Sequence, residues 1–242
     1  MELQPPLQPK AQSIAWQNAR VVDIRPETAR ATTFRLALDT PVRHRAGQHC
    51  VVRLTAPDGY TATRSYSIAS APDAANEIEL TVERLEGGEV STFLHDDVEV
   101  GDDLEVRGPI GRWFVWDGDT PALLVGGGSG VVPLMAMLRH ARRLHVSELL
   151  RLVVSVRTPA DLYYANEIAG PETTIVYTRA TPPGFSRLPV RLAALDLPPR
   201  LAPETQAFVC GSSGFADAAT DILVASGIST DRIRVERFGP SG

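Results

Sequence analysis

Two stretches of this 242-residue chain combine residue types that chemistry can use. The first is Val125-Gly126-Gly127-Gly128-Ser129-Gly130-Val131-Val132-Pro133, which follows an apolar run and opens a helical one. Glycines there let a backbone approach a phosphate closely, and a helix N-terminus offers free N–H groups and partial positive charge. Pro133 stands where a third glycine would complete the dinucleotide fingerprint, so the match is partial, and a glycine turn that packs a helix on a sheet reads alike. The second stretch is Thr63-Arg64-Ser65-Tyr66-Ser67-Ile68. On a strand, Arg64 and Tyr66 share one face while Ser65 and Ser67 share the other. Such a set suits a flat anionic ligand, although a half-exposed strand carries the same pattern. Two further cations, Arg157 and Arg179, follow apolar strand-like runs where an acidic residue would select NADH. Arginines at those tips favour the 2′-phosphate of NADPH, with NADH still possible; each also reads as an ordinary surface residue.

Composition narrows the field. Twenty-four Lys and Arg against 29 Asp and Glu leave a net charge of −5, which speaks against nucleic-acid or polybasic membrane binding. Cys50 and Cys210 stand far apart without companions, so a disulfide scaffold, a structural zinc site and a four-cysteine iron–sulfur cluster drop out. The five histidines are scattered, and no metal site is expected. Neither Gly211-Ser-Ser-Gly nor Gly128-Ser-Gly fits a hydrolase elbow, and no phosphate-binding P-loop occurs. Pro121 to Leu138 lacks charge, but its glycines and prolines punctuate it as strand, loop and helix rather than a membrane span. Residues 1–15 show no basic region followed by an apolar run and read as a disordered lead-in, so a cytoplasmic protein is expected.

Positioning these groups requires two kinds of element. From 16 to 117 the pattern is β throughout, with strands expected at Ala19–Ile24, Thr33–Leu38, Cys50–Leu54, Ser65–Ile68 and Ile78–Val82, and one short helix at Val90–His95. From 118 to 242 the rhythm is β–α–β: strands at Ala122–Val125, Arg151–Val156, Thr174–Thr178, Ala207–Val209 and Ile233–Glu236. Helices are expected between most of them, clearest at Val132–Leu144 and Ala216–Ala225. The expected fold is an antiparallel β-barrel followed by a parallel-sheet α/β domain, the boundary falling near Asp117-Gly-Asp-Thr. A hydrophobic share of 43% is enough for both cores.

Taken in order, the motifs resemble those of the ferredoxin–NADP reductase family. Arg64-x-Tyr66-Ser67 is similar to its flavin motif and Gly88-Glu-Val-Ser91-Thr-Phe to its flavin-pyrophosphate motif. Val100-Gly-Asp and Gly108-Pro-Ile-Gly resemble its barrel-closing turns, and Gly127-Gly-x-Gly130-x-x-Pro133 its pyridine-nucleotide loop. Val209-Cys210-Gly211 is similar to its Cys-Gly facing the nicotinamide, and Glu236-Arg-Phe238-Gly to its C-terminal segment. The resemblance runs from about Trp16 to the end of the chain.

That resemblance implies FAD and NADPH as cofactors and a role for each matching residue. Arg64 would bind flavin phosphate, Tyr66 would stack on the isoalloxazine or bond its ribityl chain, and Ser67 would hydrogen-bond near N5, with Ser65 in the same motif. Gly88, Val90 and Ser91 would hold the pyrophosphate with backbone N–H groups and the Ser91 hydroxyl at a helix N-terminus, favouring FAD over FMN. Gly127, Gly128, Ser129 and Gly130 would contact the NADP phosphates. Cys210, with Gly211, would sit beside the nicotinamide and Glu236 would serve a proton or hydrogen-bond relay at the flavin edge; in place of the terminal tyrosine of plant-type members, the lid on the flavin is either Phe238 or nothing. The implied activity is hydride transfer from NADPH to flavin, then single electrons to a separate acceptor such as ferredoxin or flavodoxin. Alternatives are a flavin or ferric reductase acting on small acceptors, and a redox-inert nucleotide-binding module. The basic run Arg139-His-Ala-Arg142-Arg143 could dock an acidic ferredoxin or complement a helix C-terminus. Trp113, Phe114 and Trp116 are expected to pack as core or between domains.

Overall fold

The structure is a computed structural model that describes residues 15–73 and 76–239; the lead-in, save Ala15, lies outside them. Its first half is a six-stranded sheet built from β1 (Trp16–Thr28), β2 (Ala31–Leu38), β3 (His49–Thr55), β4 (Thr61–Ser67), β5 (Glu77–Glu83) and β6 (Asp103–Ile110), ordered β4-β3-β6-β1-β2-β5. Every pairing in it is antiparallel. A bridge between Ile68, just past β4, and Leu80 of β5 brings the two edges together and curls the sheet into a barrel. Alternate residues turn inward: Phe34 and Leu36, Ile78 and Leu80, Leu104 and Val106 are buried. Each fully buried side chain of this size stabilises the fold by about 1.5–3 kcal/mol. Helix α1 (Glu89–Asp96) adds Val90 and Leu94 to that core and packs against β4 and β5.

One expectation needs correction here. Gly108-Pro109-Ile110 is not a turn but the end of β6, a strand sandwiched between β3 and β1. Gly108 is there because a side chain would strike Cys50 on the neighbouring strand. Burial pushes the Cys50 thiol up to about 12, which leaves it an inert core residue.

The second half is a five-stranded parallel sheet: β7 (Ala122–Gly127), β8 (Leu150–Val156), β9 (Thr173–Tyr177), β10 (Gln206–Ser212) and β11 (Ile233–Phe238), ordered β11-β10-β7-β8-β9. Helix α2 (Val131–Leu144) covers one face with Leu124, Val154 and Phe208, and α3 (Ser213–Ala225) covers the other with Leu123, Val153 and Val209. The uncharged run Pro121–Leu138 is therefore a buried strand and a buried helix, and no helix among the described residues is long and apolar enough to cross a membrane. Helices do not fall between most strands. The β8–β9 and β9–β10 connections hold only single 3-10 turns, at Pro159–Asp161 and Ala194–Asp196. Prolines 182, 183, 189, 198, 199 and 203 in the longer one remove the N–H groups a helix needs.

The barrel and the α/β unit share one apolar cluster, in which Ala46, Ala69, Phe114 and Trp116 pack with α2 and Cys210. Trp113 departs from the expected packing: it is 62% exposed. The basic run is not a free docking face either. Arg139 bridges Glu79 of the barrel and Glu167 at 2.6 Å each, Arg142 pairs with Glu172, and Arg143 donates to the Pro72 carbonyl.

Candidate flavin and nucleotide sites

In an open parallel sheet, ligands bind beyond the carboxyl ends of the strands where the strand order reverses. Here the chain runs outward from β7 to β8 and β9, then returns to the other side of β7 for β10. The reversal lies between β7 and β10, and two sequence-selected segments meet there. Gly127 ends β7, and Gly128 turns with φ +57° into Gly130 at the start of α2. Gly130 lies so close to the Cys210 carbonyl of β10 that a side chain would overlap the backbone. This crowding brings the first turn of α2 onto the tip of β10. Ser129 is on the same turn.

Cys210 is wholly buried and pairs in register with Gly126 on one side and Glu236 on the other. Burial, then the neighbouring Glu236 charge, hold its thiol well above the usual range, so it stays protonated. The Glu236 carboxyl is pushed up to about 7 by burial, which lets it hold or release a proton near neutrality. Phe238 ends β11 opposite Ser212 and packs, partly exposed, against the shared apolar cluster. Arg157 and Arg179, both exposed at the tips of β8 and β9, are brought together: the Arg179 N–H donates to the Arg157 carbonyl at 2.9 Å.

The barrel carries the other group. On β4, Arg64 and Ser65 are exposed, Tyr66 is half-buried with its phenol pushed up to about 12, and Ser67 is buried opposite His49 of β3. The Arg64 guanidinium folds back on the Thr63 carbonyl at 2.7 Å. Helix α1 begins at Gly88 beside this strand and leaves the N–H groups of its first turn without helical partners. Val90 points its side chain into the core, so only its backbone faces a ligand. The Ser91 hydroxyl is engaged within the turn: it accepts from the Leu85 N–H at 3.2 Å and donates to the Gly88 carbonyl at 3.0 Å. It closes the turn that opens α1.

These features fit the two implied cofactors: an uncovered helix start beside a cation and an aromatic on β4, and a glycine cradle that any side chain would fill at the switch point. Three residues escaped the sequence reading. Phe215 packs over the tips of β7 and β10, its ring 2.6 Å from where a Gly127 side chain would begin and 2.7 Å from the same point on Gly211. Its place in the first turn after Gly211 was the available signal. Glu27 and Tyr164, taken up below, gave none, because the bond that joins them spans 137 positions.

Comparison with known proteins agrees with this geometry. Residues 18–115 match the oxidoreductase FAD-binding domain and residues 124–221 the oxidoreductase NAD-binding domain, together most of the chain. The glycine betaine monooxygenase reductase subunit of Chromohalobacter salexigens is 32% identical over 92% of this chain and 64% of its own length. The propane 2-monooxygenase reductase component of Rhodococcus jostii is 27% identical over 90% of this chain and 62% of its own. The chain thus spans less than two thirds of these relatives. A ferredoxin NADP+ reductase from Neisseria gonorrhoeae, solved with FAD and NADP, shares the fold at TM-score 0.77 and 21% identity, over 92% of this chain and 98% of that one. With an FAD-binding barrel and an NAD-binding α/β unit in the family's order, this chain belongs to the ferredoxin–NADP reductase family of FAD- and NAD(P)H-dependent oxidoreductases.

Proposed function

We propose that this chain takes a hydride from NADPH onto FAD and passes electrons one at a time to a separate redox protein, a ferredoxin, a flavodoxin or the terminal component of an oxygenase. The observation that carries this reading is the junction of Gly130, Cys210 and Glu236 at the switch point, packed through one apolar cluster against Ala69, two residues beyond Ser67. FAD, when bound, accepts an electron pair and releases it in single steps.

The chain's own residues do the remaining work. Backbone N–H groups from Gly127 to Gly130 would hold the nucleotide phosphates, and Arg157 with Arg179 would bind the 2′-phosphate. The Cys210 thiol, neutral and fixed in the sheet, walls the nicotinamide site and excludes water. Arg64 and the start of α1 would bind the flavin phosphates, Tyr66 would hold the isoalloxazine and Ser67 would hydrogen-bond near its N5. Glu236 keeps a proton available at the edge of that site. Such transfer needs alignment and dryness rather than an acid–base triad. The oxygenase-type acceptor is suggested by the names of the relatives, both reductase parts of monooxygenases.

The test is anaerobic mixing of the FAD-loaded protein with NADPH, then NADH, following loss of visible flavin absorbance. Fast bleaching by NADPH and slow bleaching by NADH is the expected result. Failure with both would overturn the reading and leave a nucleotide-binding module. Turnover with ferredoxin or flavodoxin compared with free flavin or ferric chelates then separates a protein acceptor from a small one.

A further inference from the structure

Between the two domains lies a closed ring of hydrogen bonds that the nucleotide and flavin sites do not use. Tyr164 of the α/β unit is buried and holds φ +56°, a left-handed conformation unusual for a bulky residue. Its hydroxyl donates to Thr81 Oγ1 at 2.6 Å, and its backbone N–H donates to Glu27 Oε2 at 3.0 Å. The ring closes inside the barrel: Thr33 Oγ1 lies 2.7 Å from Thr81 Oγ1 and donates to Glu27 Oε1 at 2.8 Å. Because the carboxylate only accepts, the direction of every link is set. Thr33 donates to Glu27, so Thr81 must donate to Thr33, and Tyr164 must donate to Thr81.

A second set of contacts surrounds the ring. Arg25 donates to Glu27 at 3.1 Å, and Arg139 of α2 stacks over the Tyr164 ring while pairing with Glu79 and Glu167. Arg139 also donates to the Ala69 carbonyl at 3.0 Å, two residues beyond Ser67. Helix α2 therefore carries the phosphate-binding turn at one end and, two turns on, a direct link to the end of the flavin strand.

We propose that Tyr164 and Glu27 are positioning residues whose ring sets how the nucleotide domain is seated on the flavin domain, and thereby the hydride donor–acceptor distance. This rests on the hydride-transfer reading above. The ring touches neither cofactor site, so its loss should leave binding intact and slow the transfer itself.

The experiment compares the wild-type holoprotein with Tyr164→Phe, which removes one hydroxyl, and with Thr81→Val, which breaks the same ring from the barrel side. The expected result is flavin reduction by NADPH slowed by about tenfold or more, with NADPH affinity changed by less than about twofold. The primary deuterium isotope effect from 4-deuterated NADPH should become more temperature-dependent, a change that lost stability alone would not produce. Amide exchange at Tyr164 should rise in both variants. Reduction rates and isotope effects matching wild type in both variants would overturn the proposal. Should wild type itself resist reduction, the hydride reading falls, while amide exchange still reports whether the ring joins the domains.

Discussion

Cys210 and Glu236 are register partners on adjacent parallel strands, the first wholly buried and the second partly so; burial keeps the thiol protonated and moves the carboxyl up to about 7. The pair is legible only once β10 and β11 are side by side, and it makes a pH-dependent prediction.

Glu236 has a folded pKa of about 7 against an ordinary value of 4.5. Between these values the folded state holds the proton more tightly than the unfolded chain, so stability falls as pH rises from about 4.5 through 7. Glu236→Gln, which mimics the protonated form, should match wild type at pH 4.5 and exceed it at pH 8 by up to about 3 kcal/mol. Denaturant unfolding at the two pH values checks this; equal stability at pH 8 would contradict it.

Gly130→Ala places a methyl group into the Cys210 carbonyl, which is backbone and has little room to move. Overpacking of this kind costs about 1–3 kcal/mol, even though alanine is the better helix former. A lower melting temperature and weaker NADPH binding by fluorescence titration are expected together, because the displaced turn is the one proposed to hold the phosphates.

Arg157→Ala and Arg179→Ala should each lower the preference for NADPH over NADH while leaving NADH turnover unchanged. Both side chains are exposed on strand tips joined by a backbone hydrogen bond, so neither substitution disturbs packing. The ratio of kcat/KM for the two nucleotides is the readout. An unchanged ratio in the double variant would retract the 2′-phosphate role.

Ser91→Ala deletes a buried hydroxyl that both accepts from Leu85 and donates to Gly88. The expected loss is about 1–3 kcal/mol, from leaving one N–H unsatisfied. Because the turn it closes opens α1, dissociation of FAD on dilution should also quicken, and the free flavin fluorescence measures it.

Much of the architecture could be read before any coordinates. The alternation in Thr33–Leu38 and Ile78–Val82 has period two, and Val131–Leu144 is a continuous apolar helix with a basic end; such periodicities act over a few residues and survive in the sequence. The β6 strand was missed because Gly108 and Pro109 are strong turn formers locally, and only the crowding of Cys50 on the adjacent strand explains a glycine in its middle. Ser91 was assigned a ligand-side hydroxyl that the local turn already uses.

The sequence by itself determined where the glycine turn, the Arg64–Ser67 strand and the Cys210-Gly211 strand end must lie, since each depends on local backbone freedom or on alternation along a single strand. Only the tertiary structure decided what surrounds them. It reversed the strand order at β7, paired Arg139 with Glu79 rather than with an outside partner, set Glu236 at about 7, and closed the Glu27–Tyr164 link across 137 positions. Charge state, pairing and domain seating depend on which distant groups replace water around a side chain, and that is settled only when the chain has folded.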